Sequence, residues 1–330
     1  MDKSDQRLIA IGGSLGAVRA VSALCAALPR DIPAAVCIVV HVGARGANML
    51  AQIFDDAGSF PIVTASDGQK VESGRGYVAP ADRHLVVVDG TLRLGAGPRE
   101  NLARPAIDPL FRSAGLSYGA RAIGVVLTGT LNDGAAGLAD LKRCGGVTVV
   151  QNPTDAEAPE MPLEALRVSD VDYRAPLSGL AELLATLLGE PTGPGVPCPR
   201  EVALEVDIAL GRATGADEIA QFADPAAISC PACSGVLSQV RRSPLRFRCQ
   251  VGHGYSAEAL AASQEGSVDE ALRVALRIVG DRATLTEKMA AEARREGLRF
   301  SAHSYEEKAK ESRRTLEVLQ QAIRKSQGAA

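Results

Sequence analysis

Over the first 190 positions, apolar residues fall into short unbroken runs separated by segments with an apolar residue every three or four positions. The runs at 8–13 (LIAIGG), 36–40 (the end of AAVCIVV, 34–40), 76–79, 123–128 (inside AIGVVLTG, 122–129) and 147–151 predict β-strands. The segments 17–28 (AVRAVSALCAAL), 135–143 and 178–188 carry helical spacing. Alternation of the two patterns predicts an α/β domain, a mostly parallel sheet flanked by helices. Asp89-Gly90 lies between two further runs, 84–88 and 91–94, and predicts an antiparallel hairpin beside that sheet.

The pattern then changes. Residues 190–200 (EPTGPGVPCPR) are rich in Pro and Gly, show no periodicity and read as a linker. Residues 228–256 are a compact Cys/His segment. Residues 267–326 predict two long helices with a break at 296–301, where Gly297 is a poor interior residue. The expected organisation is an α/β domain over 1–190, a linker over 191–200, a ribbon-like segment over 201–260 and a helical hairpin over 261–330.

Composition narrows the function. A chain of 330 residues that is 46% hydrophobic can bury a sizeable core. A net charge of −3 and only 3% aromatic residues argue against a nucleic-acid partner or an anionic membrane surface. The first residues lack the apolar core of a leader, and no stretch approaches the length of a membrane span, so a cytoplasmic location is expected. Seven cysteines without a framework spacing read as free thiols or metal ligands.

Three runs end on residues able to do chemistry: 8–13 leads to Ser14, 34–40 to His41, and 122–129, after three residues, to Asp133. Exits of parallel strands share one edge of a sheet, where open α/β folds place their sites. Serine, histidine and aspartate there form a candidate nucleophilic triad. The hydroxyl needs a base, and the base needs an orienting carboxylate. The glycines of Gly12-Gly13-Ser14-Leu15-Gly16 allow a sharp turn, and the amides opening the next helix could stabilise an oxyanion. Other readings stand beside this one. A Gly-rich strand–helix turn can cradle phosphate, although GGSLGA lacks both the P-loop and the GxGxxG spacing. His41 can be a core histidine, and Asp133 can cap the following helix.

Cys230, Cys233, Cys249 and His253 have the spacing C-x2-C, fifteen residues, C-x3-H. Three thiolates and an imidazole suit a closed structural Zn²⁺ site, leaving no open position for catalysis. VLSQV and RFRC read as two ribbon strands. Cys25, Cys37, Cys144 and Cys198 read as ordinary thiols. In the tail, Leu272, Ala275, Ile278, Leu285 and Met289 predict one apolar stripe, and Leu316, Leu319 and Ile323 another. That hairpin can pack on its own chain, form a dimer or dock a partner. His303 is expected to face solvent.

The stretches AIGGSLGAVRAV, IVVHV, DGQKVESGRGYVAP, RPAIDPLF, GVVLTGTLNDGAAGL and VTVVQNP…EMPLEAL resemble, in order, the catalytic domain of chemotaxis-type protein-glutamate methylesterases, the CheB family. The resemblance covers about residues 7–190. It implies a parallel sheet with flanking helices and hydrolysis of glutamate methyl esters on chemoreceptors, with deamidation of glutamine in many members. It also implies a triad of Ser14, His41 and Asp133, with no cofactor for catalysis. The family's Ser-Thr-Gly-Gly is Ser14-Leu15-Gly16-Ala17 here, and its Thr-Gly-Met-Gly is Thr128-Gly129-Thr130-Leu131. Ala103 stands where a His commonly precedes Arg-Pro, and Glu160 replaces the Gly before Met-Pro. Standard members open with a receiver domain, so this chain is expected to be controlled otherwise. The Cys/His wording resembles a C-terminal extension of receiver-less members. A non-catalytic scaffold that binds a signalling partner is the alternative, and nucleotide binding a third reading.

Overall fold

β1 (Arg7–Gly13) and β2 (Ala34–Val40) are buried at every position, as central strands of a parallel sheet covered on both faces must be. The computed structural model describes residues 6–42, 49–212 and 215–327. Successive elements are α1 (Ala17–Ala27), α2 (Leu50–Ala57), β3 (Ile62–Thr64), β4 (Gly76–Val78), β5 (His84–Val88) and β6 (Thr91–Gly95). Then come α3 (Ile107–Tyr118), β7 (Ala122–Val126), α4 (Ala135–Arg143), β8 (Val147–Gln151), α5 (Glu160–Val168), β9 (Tyr173–Ala175) and α6 (Leu177–Gly189). The sheet order is β3-β4-β2-β1-β7-β8-β9, with every pairing parallel. β5 and β6 form the hairpin expected around Asp89-Gly90.

Side chains alternate across the sheet. Ile9, Ile11, Val36 and Ile38 meet α1, α2 and α6 on one face, and Leu8, Ala10, Cys37 and Val39 meet α3 and α4 on the other. α3 lies close because Gly12 has no side chain: a Cβ there would sit 2.2 Å from Ile107 Cγ2. The sequence pattern missed α3, because Asp108, Arg112 and Ser113 are buried together with its apolar residues and blur any amphipathic spacing.

α7 (Arg200–Leu210) and α8 (Ala216–Ala220) lead into an antiparallel sheet of β10 (Ala223–Ser229), β11 (Val236–Val240), β12 (Arg246–Cys249) and β13 (Gly254–Ser256), two strands more than the pattern indicated. This ribbon belongs to the same compact unit as the large sheet, residues 1–260. Buried ion pairs join the two. Arg112 of α3 lies 2.8 Å from Glu100, 3.0 Å from Asp140 and 2.8 Å from Glu205, and β12 adds Arg246, 2.6 Å from Glu205, and Arg248, 3.1 Å from Glu100. Burial alone would raise Glu205, but the three guanidiniums outweigh it and hold it at about 2.

The reading of two cysteines is overturned. Cys144 and Cys198, read as ordinary thiols, form a disulfide across 54 residues. The segment read as a linker runs back past the end of α4, where Val196 packs against Gly145. A 54-residue separation offers no pairing signal in sequence.

Residues 261–330 form the second unit. α9 (Ala257–Arg295) and α10 (Arg299–Gln327) confirm two helices and a short break. The predicted stripe on the first helix is wrong: Ile278, Leu285 and Met289 are exposed, while Ala283, Thr286, Ala290 and Ala293 are buried. The buried residues of α10 include Ala302, Ala309 and Ser312. Small side chains form most of the buried face of the first helix, which a pattern weighted to large apolar residues overlooks, whereas the stripe expected on the second is found: Ile323 is buried and Leu316 and Leu319 are half-buried. His303 is exposed, as expected.

Candidate active site

β2, β1 and β7 are neighbours in the sheet, so the residues following them meet at one edge. The Ser14 amide donates to Thr128 O at 3.0 Å, and the His41 amide donates to Gly13 O at 3.1 Å. These bonds tie the three strand exits together. His41 Nε2 lies 2.8 Å from Asp133 Oδ2. The separation is that of a hydrogen bond, yet the ring nitrogen is not aligned for one and has no other partner among the described residues. Such bonds often tighten only when substrate is present.

Asp133 is set by helix geometry. α3 starts at an alanine cap that offers no side-chain acceptor, so its orphan amides find one elsewhere. Ile107 N donates to Asp133 Oδ2 at 2.6 Å and Asp108 N to Oδ1 at 3.3 Å. Asp108 returns the arrangement to α4, its Oδ1 accepting from Gly134 N at 3.0 Å and Gly137 N at 2.6 Å. The two carboxylates thus cap each other's helices, and each gains from a helix N-terminus. Burial raises Asp133, but His41, the Ile107 amide and Asn101 outweigh it and hold it below the usual carboxylate range. Burial and the charge of Asp133 push Asp108 up to about 7. Asp133 therefore carries the negative charge beside His41.

Ser14 packs on Gly129, where a Cβ would lie 2.9 Å from Ser14 Cβ and 2.9 Å from the Met161 sulfur. The Thr128 hydroxyl lies 3.0 Å from Leu15 O and accepts from Ala158 N at 2.8 Å, which holds the turn after Ser14. The Leu15 and Gly16 amides, next to Ser14, bond to no acceptor among the described residues. They are candidates for an oxyanion site. Leu15 and Leu131 are about half exposed beside it. A cleft of about 800 Å³ opens next to His41, lined by Asp82, Arg99, Leu102 and Arg104.

The Cys/His set converges as well. The ligand atoms of Cys230, Cys233, Cys249 and His253 all lie within 4.8 Å of one another. Cys233 Sγ is 3.7 Å from Cys249 Sγ, which is 3.4 Å from His253 Nδ1. Thiolates bound tetrahedrally at about 2.3 Å stand about 3.8 Å apart, so the donor set fits Zn²⁺.

The family model described as CheB methylesterase matches residues 9–184. The chain belongs to the CheB methylesterase family. A relative from Leptospira interrogans, bearing the name protein-glutamate methylesterase/protein-glutamine glutaminase, is 38% identical over 180 residues, 54% of this chain and 93% of that protein. A Methanosarcina acetivorans protein named protein-glutamate methylesterase/protein-glutamine glutaminase 2 is 33% identical over 192 residues, 56% of this chain and 54% of its own length. This chain spans only about half of that relative. The CheB methylesterase catalytic domain of Thermotoga maritima superposes with a TM-score of 0.53 at 28% identity, covering 55% of this chain and 98% of that domain. The fold is thus that of a CheB catalytic domain.

Sequence reasoning singled out Ser14, His41 and Asp133 but not Asn101, whose Nδ2 donates at 2.9 Å to both Asp108 Oδ2 and Asp133 Oδ1. No periodicity marks it. Its one signal is its place just before the RPAIDPLF stretch. Among the described residues, no helix is long and apolar enough to cross a membrane.

Proposed function

We propose that the chain is a serine hydrolase that removes methyl esters from protein glutamate residues and also deamidates glutamine. Its substrate would be a methylated chemoreceptor or another signalling protein of the cytoplasm. The observation that carries this reading is the approach of His41 Nε2 to a charged, buried Asp133, with Ser14 at the neighbouring strand exit. Family membership and the names of the relatives support it. In this reading Ser14 Oγ attacks the ester carbonyl while His41 takes its proton. The tetrahedral oxyanion is held by the Leu15 and Gly16 amides. Collapse expels methanol, which receives the proton from His41. Water, deprotonated by the same imidazole, then cleaves the acyl-enzyme, and Ser14 Oγ recovers the proton. Asp133 stabilises the imidazolium throughout. Zn²⁺ on Cys230, Cys233, Cys249 and His253 would be structural, since its four ligands come from the protein.

Ser14→Ala tests the reading. Methanol release from a methylated receptor is expected to fall by about 10⁴-fold or more, with far-UV circular dichroism unchanged. Release from Ser14→Ala at the parent rate overturns the assignment.

A further inference from the structure

β13 of the ribbon meets the loop that carries Asn101. Asn101 N donates to Gly254 O at 2.8 Å, and Ser256 N donates to Asn101 Oδ1 at 2.9 Å. With its Nδ2 hydrogens on Asp108 and Asp133, the Asn101 side chain uses both donors and one of its two acceptor positions. Its backbone is left-handed, with φ at 48°, a conformation in which Asn is among the better tolerated side chains. On the other side of Asp133, Asn132 Oδ1 accepts from Ser256 Oγ at 2.8 Å, and Asn132 Nδ2 donates to Glu258 Oε2 at 2.5 Å. Gly254 directly follows His253 of the metal set. Gly254 and Ser256 of the ribbon, with Glu258 at the start of α9, therefore grip Asn101 and Asn132, and both of these adjoin Asp133.

We propose that Asn101 is a positioning residue for the triad, and that the Cys/His ribbon is the part of the chain that holds it in place. An asparagine amide can point either way. The Ser256 N–H meets its oxygen, so its NH₂ must face the two carboxylates. Asp133 Oδ1 is then pinned by Asn101, and Oδ2 is directed at His41. A metal held by Cys249 and His253 would brace the 249–253 turn, whose ends already bond through Cys249 N and His253 O at 3.0 Å, and with it the strand that presents Gly254 and Ser256. The CheB fold supplies the reacting groups, and the ribbon supplies their alignment. The proposal rests on the methylesterase reading of Ser14, His41 and Asp133.

Two substitutions at one position isolate the deciding bond. Ser256→Ala removes the hydroxyl and keeps the N–H, whereas Ser256→Pro removes both. Relative to Ser256→Ala, Ser256→Pro and Asn101→Ala are expected to lower kcat for methanol release by about tenfold to a hundredfold, with KM within about twofold. Zinc content and far-UV circular dichroism should match the parent. If both variants release methanol as fast as Ser256→Ala, the proposal is overturned. If Ser256→Pro does not fold, Asn101→Ala alone decides in the same way. If the parent chain releases no methanol, the methylesterase reading fails and the NMR titration of the His41 ring carries the test. A displaced His41 midpoint in Asn101→Ala sustains the coupling, and superimposable curves overturn it.

Discussion

The seven-stranded sheet and the four-stranded ribbon share one compact unit but are held by different forces. The sheet buries more than fifty apolar and small residues in two layers, from Ile9 and Ile38 on one face to Leu8 and Phe111 on the other. The ribbon's own core holds six buried residues, two of them the cysteines Cys230 and Cys249. A module that small does not stand on hydrophobic burial alone. It has a Cys/His set able to hold a metal at one end and Arg246 and Arg248 docked among buried carboxylates at the other. The sheet therefore has the larger core to stand on, and the ribbon is expected to depend more on its neighbours. If the ribbon aligns the triad as proposed, it should be possible to loosen it without unfolding the domain beneath it.

Removing the metal should widen that difference most. Structural zinc contributes on the order of 10 kcal/mol to small metal-bound modules. A strong chelator is expected to abolish hydrogen-exchange protection in β10–β13 while β1, β2 and β7 keep theirs. Equal loss in both sheets would show that the two are one cooperative structure. Next in size is Arg112→Met. It leaves Glu100, Asp140 and Glu205 short of a partner inside the unit and should cost about 3–5 kcal/mol in denaturant unfolding.

Acid should act on the same joint, more gradually. The folded pKa of Glu205 lies below its unfolded value, so its contribution is fully present above about pH 4.5 and is lost as pH falls towards about 2. Glu100 is depressed as well: its burial is outweighed by Arg112 and Arg248. Intrinsic exchange-corrected protection of the ribbon should therefore fall before that of the sheet on acidification. The mildest change is Gly129→Ala, which places a methyl against Ser14 Cβ and Met161 and should cost about 1–3 kcal/mol. It tests the sheet side alone. Methanol release should drop while ribbon protection stays unchanged.

Much of the α/β domain was legible in the chain. Strands buried on both faces read as unbroken apolar runs, and β1, β2, β7 and β8 were found within a residue or two. Ser14, His41 and Asp133 were visible because each follows such a run. α3 and α5 were not, since buried charge and proline interrupt their spacing. Asn101 was invisible because its partners at 133, 254 and 256 are far from it in the chain, and because it lies outside α3, so its seven-residue spacing to Asp108 marks no helix face. The Cys144–Cys198 pairing and the alanine face of the tail hairpin were missed for the same reason: neither is periodic in large apolar residues.

The strand–helix alternation, the serine, histidine and aspartate at the strand exits and the spacing of the Cys/His set can all be read from the chain alone. These are local properties, written in runs and intervals of a few residues. Only the tertiary structure decided what those groups face. It brought the N-termini of α3 and α4 together, so that Asp108 and Asp133 cap one another's helices and separate in charge. It also set Gly254 and Ser256 against Asn101, across more than 150 residues of chain. Hydrogen-bond partners at such separations are chosen by packing, and packing is a property of the folded whole.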